Sequence, residues 1–265
     1  MPATEEIKAR DGERKILATE IMVVAGAREL HDGEVAIVGL GLPEMAAALA
    51  KRTHAPRLST LYEIGVMNST PKDTPVGLAD SRTFYRATCW SSFLDVMGMN
   101  LHRGVVDAGF LGALEIDRYG NVNTTLLKEG SGKIRYVNGS AGGNDVASLA
   151  KRVIVIMRHE KRKLPLAVAY LTSPGFANGR SREELHLRGG GPSRVITDKA
   201  VLGFDAKTHS MSLLSLHPGI RLEELTENTG FPLQVPEVIP VTPVPTAGEL
   251  RVLREEIDPK GVYLR

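Results

Sequence analysis

The chain has little of what marks a secreted, membrane-spanning or zinc-loaded protein. It holds a single cysteine, Cys89, in 265 residues, which excludes an internal disulfide framework and any cysteine-rich zinc site. With Trp90 beside it, Cys89 reads as a buried filler; a nucleophilic role has no nearby histidine in sequence to support it. No apolar run approaches the roughly 20 residues that cross a bilayer. The start, Met1-Pro-Ala-Thr-Glu-Glu-Ile-Lys8, lacks the apolar stretch of a secretory signal, so a cytoplasmic location is expected. Net charge is nearly absent too: 33 Lys and Arg against 31 Asp and Glu leave +2. With the signs interspersed, neither a nucleic acid nor an anionic membrane is an expected partner.

What the chain does have is an ordinary hydrophobic content of 42%, with 27 glycines and 15 prolines, the mark of a folded α/β chain with many tight turns. Residues 1–13 are polar and expected to be flexible. Apolar positions at Ile16, Leu17, Ile21, Met22, Val24 and Ala25 predict a helix that stops at Asp32-Gly33. Glu34 to Gly39 reads as a strand buried on both faces. Gly39-Leu-Gly-Leu-Pro43 then opens a helix running to Thr53, with Pro43 suited to its first turn. With Leu58 to Ile64 as the next strand, this is a β-turn-α-β unit with parallel strands and a right-handed crossover.

Gly65 to Ser81 reads as a long loop directly after that strand. Helical spacing returns from Ser91 to His102, and Val105 to Gly112 is another strand. Asn138-Gly-Ser-Ala-Gly-Gly-Asn-Asp145 is a second glycine-rich loop, opening onto a helix at Val146 and then a strand at Val153 to Met157. Ala167 to Thr172 and Arg194 to Thr197 are further strand candidates, and Ala200 to Phe204 with Met211 to Leu216 form a hairpin. A short helix over Arg221 to Asn228 precedes a proline-rich extended strap, 232–245, and a last amphipathic helix from Thr246 to Glu256. With no repeat and no linker, 14–265 reads as a single domain.

Glu63 is the only charge in the run Leu58 to Gly65. A carboxylate closing an apolar strand is costly unless it is hydrogen-bonded or opens onto a cleft, and clefts of open α/β sheets lie beyond the carboxyl ends of strands. Three readings stand. Gly39 and Gly41, with an acid about 20 residues on, suggest a dinucleotide site, but Glu44 replaces the third glycine and would repel a pyrophosphate. A salt-bridged strand end is the second. The third is a nucleophilic carboxylate, for which the Gly142-Gly143 loop would supply an oxyanion-binding backbone. Elsewhere, His159-Glu-Lys-Arg-Lys163 begins like a zinc-protease motif but has Lys163 where a second histidine is needed, so it reads as a solvated basic turn or a contact to a phosphorylated ligand. His54, His102, His186, His209 and His217 show no ligand spacing, and no metal site is expected.

The motifs taken in order resemble the β (B) subunit of family I CoA-transferases, nearest the glutaconate CoA-transferase type. The resemblance spans the chain from first helix to last. It rests on Gly39 to Pro43, Lys51 to Pro56, Glu63-Ile-Gly65, Gly112 to Thr124, Gly139 to Asp145, Met157 to Arg162, Tyr170 to Gly175, Val195 to Lys199, Glu227 to Phe231 and Arg254 to Pro259. It implies an α/β fold with an open, mostly parallel sheet flanked by helices, and a separate α subunit in an αβ or α2β2 assembly. It further implies coenzyme A as substrate with no permanently bound cofactor, and Glu63 as the catalytic residue, forming acyl-glutamyl anhydride and glutamyl-CoA thioester intermediates. Gly142 and Gly143, with Asn144 behind them, would be the oxyanion loop. Asn68, Ser69 or groups of the partner subunit are the candidate donors to Glu63, and Asn68 and Ser69 are, with Gly39 and Gly41, the substrate-binding candidates. Hydrolysis of a CoA thioester by the same glutamate, and a non-catalytic module binding CoA or a nucleotide, remain as alternatives. Ile64 departs from the family, which has Ser or Asn there; the departure leaves the reaction class standing and the acid in doubt.

Overall fold

In the computed structural model, residues 15–77, 80–128, 130 and 132–264 are described; the expectation for 1–13 lies outside them. The first helix, α1 (Ala18–Arg28), buries every residue from Thr19 to Ala27, as a helix that is apolar on nearly all sides must. Its one buried acid, Glu20, is paired with Arg254 of the C-terminal segment at 2.7 Å. Gly26 lets α1 approach α2 (Leu42–Arg52), since a Cβ there would stand 3.2 Å from that of Ala46. Pro43 sits in the first turn of α2, behind Gly41 at φ +83°, a conformation that favours glycine.

The strands, in chain order, are β1 (Val35–Ile37), β2 (Ser59–Tyr62), β3 (Val66–Met67), β4 (Cys89–Trp90), β5 (Ala108–Leu111), β6 (Glu115–Ile116), β7 (Val122–Asn123), β8 (Leu126–Lys128), β9 (Ile134–Tyr136), β10 (Arg152–Ile156), β11 (Pro192–Ile196), β12 (Ala200–Phe204) and β13 (Met211–Leu216). Nine of them form one sheet in the order β13-β12-β11-β10-β5-β1-β2-β3-β4. Its centre, β11-β10-β5-β1-β2, is parallel and its margins are antiparallel. The expected α/β class with a mostly parallel sheet is therefore what forms. Two ribbons, β6-β7 and β8-β9, stand apart.

Alternation along the strands divides the core in two. Ala36 of β1 and Val38 just after it join α1, α2 and Leu253 in one apolar cluster. Ile37 joins Val96, Leu101, Val146, Val153 and Val155 in the other, where α3 (Gly143–Leu149) packs. Two further helices, α4 (Leu222–Glu227) and α5 (Ala247–Arg251), follow, the latter running on into a π-type segment, Val252–Ile257. The segment between them meets β13 through single bridges at Gln234 and Val241 and a hydroxyl contact between Ser215 and Thr242 at 2.7 Å.

Four local expectations are corrected. The chain after Gly65 does not enter a long loop directly; it returns at once as β3, antiparallel to β2. The helical spacing between Ser91 and His102 is met by a π-type segment, Leu94–Leu101. Ala167 to Thr172 is not a strand; there only Thr172, with Ser173 after it, reaches Val122 by backbone hydrogen bonds. Cys89 is exposed rather than buried, and Trp90 is 70% exposed, because β4 is a two-residue margin of the sheet with both side chains outward. Among the described residues no helix is long and apolar enough to cross a membrane.

Candidate functional site

The turn that carries Glu63 is tightly specified. Gly65 N–H donates to the Tyr62 carbonyl at 2.9 Å, closing a turn with Glu63 and Ile64 at its corners. Gly65 has φ +100°, and a Cβ on it would stand 2.2 Å from the Ser91 carbonyl oxygen. Only glycine fits on both counts. Ser91 in turn holds the Gly65 carbonyl through its N–H at 2.8 Å and its hydroxyl at 3.0 Å. Glu63 is thereby fixed beyond the carboxyl end of β2, half-buried.

From there it faces the second glycine loop. A Cβ on Gly142 would lie 2.7 Å from Glu63 Oε2 and 2.6 Å from Met97 Cε, so the carboxylate rests where an ordinary side chain would begin. Around the pair is a cleft of about 480 Å³, within the range of small-molecule sites. Its walls are the carboxyl ends of β1 (Ile37 to Gly39) and β5 (Phe110 to Leu114), the loop from Asn138 to Gly143, and Ser173. This is the crevice beyond parallel strand ends where open α/β sheets hold ligands. Among the described residues nothing donates a hydrogen bond to the Glu63 carboxylate.

The loop is braced from behind. Asn144 Nδ2 donates to the Thr172 carbonyl at 2.7 Å, and the Thr172 hydroxyl accepts from Thr124 N–H at 3.0 Å. The Thr124 hydroxyl donates to the Gly139 carbonyl at 2.7 Å. Arg182, 8% exposed, donates to the carbonyls of Ala147 in α3, Pro174, Gly175 and Gly189. Burial pushes its guanidinium down to about 10, still a cation at neutral pH.

Of the residues singled out in the sequence, Glu63, Gly39, Gly142 and Gly143 line one cleft. The others do not, and the oxyanion expectation narrows. Gly143 N–H is taken by the Ser140 carbonyl at 2.9 Å and Asn144 N–H by the Ser140 hydroxyl at 3.3 Å, which leaves Gly142 as the glycine against Glu63. Asn144 braces the loop instead of lining the cleft. Asn68 and Ser69 are not donors to Glu63. Asn68 Oδ1 accepts from Lys51 Nζ at 3.0 Å and Thr60 N–H at 2.9 Å, and the Ser69 hydroxyl donates to the Tyr85 carbonyl. Gly41 lies under the Tyr263 ring. The physical reason is the β2–β3 turn: it carries the chain back along β2 and away from the cleft. Thr124, Thr172 and Ser173 fall inside family-like stretches with no role assigned to them from sequence, and Arg182 falls outside those stretches; a side chain that braces a loop backbone has no spacing signature.

His159 is not in a solvated turn. It is 2% exposed and set between the hydroxyls of Thr197 and Thr229, at 3.2 and 3.0 Å, while Arg162 and Lys163 pair with Glu160. Among the described residues no three His, Cys, Asp or Glu side chains gather as for a metal ion.

A family model described as coenzyme A transferase matches residues 19–228. The chain is 36% identical over 237 residues to the B subunit of 3-oxoadipate CoA-transferase from Pseudomonas knackmussii, covering 89% of this chain and 91% of that one. It is 35% identical over 252 residues to the B subunit of glutaconate CoA-transferase from Acidaminococcus fermentans, covering 93% and 94%. The crystal structure of glutaconate coenzyme A-transferase from that organism matches with a TM-score of 0.86 at 34% identity, over 94% of this chain and 97% of that chain.

Proposed function

The chain belongs to the coenzyme A transferase family, and we propose that Glu63 carries coenzyme A between carboxylic acids as a covalent adduct. The observation that carries the reading is the Glu63 carboxylate set against Gly142 in the cleft at the strand ends. A carboxylate is a weak nucleophile in water. Here it is pre-positioned and half-buried, so proximity and partial desolvation favour attack.

In the proposed sequence a Glu63 oxygen attacks the acyl carbon of the donor acyl-CoA, the C–S bond breaks, and CoA leaves as a thiolate, which needs no proton. The thiolate attacks the Glu63 carbonyl of the resulting anhydride, releasing the donor acid as its carboxylate and leaving a glutamyl-CoA thioester. The acceptor carboxylate attacks that thioester, regenerating a thiolate and an anhydride, and the thiolate takes the new acyl group. Gly142 is the group best placed to donate to the oxyanions, its N–H having no acceptor among the described residues. Coenzyme A enters as substrate, and the chemistry asks for no other cofactor.

Both relatives above are the B components of transferases named by their subunits. An α-type subunit, in an αβ or α2β2 assembly, is the partner we assign, closing the open side of the cleft and excluding the water that would hydrolyse anhydride and thioester. The test is to incubate the complex with acyl-CoA and then borohydride. Reduction of Glu63, seen by peptide mass, supports the thioester; no label, with acid released steadily in the absence of an acceptor, assigns hydrolysis instead. Glu63→Gln retaining full transfer activity would reduce Glu63 to a structural strand end.

A further inference from the structure

Large apolar side chains are exposed on two segments that hold the halves of the site. β4 and the residues after it carry Trp90, 70% exposed, with Phe93 and Leu94 exposed as well. The ribbon β8-β9 carries Tyr136, 75% exposed, flanked by exposed Ile134 and Val137. The first wing is tied to Glu63 and its neighbour Gly142. Ser91, directly after Trp90, holds the Gly65 carbonyl through its N–H and its hydroxyl, and Met97, three residues beyond Leu94, puts its Cε 2.6 Å from where a Gly142 Cβ would stand. The second wing is tied to the glycine loop: Val137 donates its N–H to the Thr125 carbonyl at 2.8 Å and leads straight into Asn138 and Gly139 of the cleft wall. A body resting on both wings would lie across the Glu63 and Gly142 pair.

We propose that these two wings are the docking surface for the α-type subunit, with Trp90 and Tyr136 as its anchors. The proposal takes the identity of the partner from the function given above, both relatives being B components, and it needs nothing of the Glu63 chemistry. Residues 87–94 include no charged side chain, and the cores of protein interfaces are marked by such loss of charge together with enrichment in Trp, Tyr and Phe. A covered aromatic side chain buries about 150–250 Å², so Trp90, Phe93 and Tyr136 together offer roughly half of the ~800 Å² that each partner gives to a standard interface. The surface is also continuous with the rim that the partner must close. A second copy of this chain fits less well, because it would set one Glu63 cleft against another and leave no face beside the site for the α-type subunit. The other exposed apolar stretch, with Val238 and Val241, lies along β13, at the opposite margin of the sheet from β4, and touches no part of the site.

The test is a dilution series of the complex of this chain with its α-type subunit, followed by sedimentation velocity. Trp90→Ala and, independently, Tyr136→Ala are expected to weaken association by about 30-fold or more, as truncation of an interface hot spot does, while Val238→Asp leaves it within about threefold. Hydrogen exchange on the wild type reads the same surface without any substitution: the amides of 89–94 and 134–138 should be protected in the complex and exchange faster once dilution separates the subunits. Glu63→Gln should associate like wild type. If that variant also kept full transfer activity, the covalent mechanism would fall and the docking surface would stand. Association unchanged in both Trp90→Ala and Tyr136→Ala would overturn the assignment. So would protection of 238–244 in place of 89–94, or self-association of this chain through Trp90 in the absence of the α-type subunit.

Discussion

Replacing Gly142 by alanine adds one methyl group at the point where the Glu63 carboxylate rests. The Gly142 backbone, at φ −76° and ψ −3°, accommodates any residue, so the substitution carries no dihedral strain. The new carbon would lie 2.7 Å from Glu63 Oε2, about 0.7 Å short of the 3.4 Å at which ordinary contact begins, and 2.6 Å from Met97 Cε. Both obstacles are ends of side chains, so both yield. The thioether moves at little cost, and the carboxylate is driven off its attack position. A misplacement near 1 Å costs on the order of 10²-fold in rate, or about 2.7 kcal/mol in the barrier. Folding should lose only about 1 kcal/mol, the price of alanine at a helix cap. The neighbouring Gly143→Ala is the control: its Cβ meets Ser173 Oγ at 3.5 Å and Leu111 Cδ2 at 3.7 Å, ordinary contacts away from Glu63. The assay is kcat/KM for CoA transfer by the complex with its partner subunit, alongside a thermal melt. If Gly142→Ala transfers within about threefold of wild type, or Gly143→Ala falls as far, the reasoning from carboxylate placement fails.

Gly65→Ala should do the reverse, destabilising by about 3 kcal/mol or more because its clash is with the Ser91 backbone, and lowering activity through the fold; circular dichroism melts check it, and a Tm within a degree of wild type would contradict it. Burial lowers His159 and His217 from 6.5 to about 4. The unfolded chain therefore takes up protons that the folded one refuses, and stability falls as pH drops from about 6.5 toward 4, by up to ~1.4 kcal/mol per pH unit per histidine. Urea midpoints from pH 7 to 5 measure the slope, which His159→Gln should reduce. Ile64→Ser should cost about 1–2 kcal/mol of stability from lost apolar burial while leaving the ratio of kcat/KM between two acceptor acids unchanged; an altered ratio at unchanged Tm would refute this.

Helices, central strands and the Glu63 turn were legible because each rests on a local signal: apolar period, proline at a helix start, or a glycine that a backbone angle requires. Gly142 was legible for the same reason, as part of a glycine run before a helix. What the sequence hid depends on tertiary partners. Cys89 and Trp90 look like core by composition, yet their strand is the sheet margin. His159 looks solvated among Lys161, Arg162 and Lys163, yet the hydroxyls that satisfy it come from Thr197 and Thr229. Asn68 and Ser69 follow Glu63 closely in sequence, and the hairpin carries them away from it. Proximity along the chain misleads wherever the chain reverses within a few residues.

That reversal also bears on Ile64, the position where the resemblance read from the sequence leads one to expect a polar residue. A polar neighbour of a catalytic carboxylate suggests contact with substrate, and its loss suggests a changed acid. The two corners of the turn, however, serve different surroundings: Glu63 lines the cleft, whereas Ile64 packs against the apolar cluster of α1, α2 and β1. An isoleucine there ties the turn to the core more firmly than a hydroxyl or amide would. Its expected influence on the proposed reaction therefore runs through how rigidly Glu63 is held. If Glu63 carries the transfer as proposed, discrimination among acids is expected instead from side chains at the cleft wall, such as Ile37, Phe110, Leu114 and Ser173, and from what a partner subunit presents opposite them. On the proposed function, the acid class is expected to follow that facing surface and those four positions more than the residue beside Glu63.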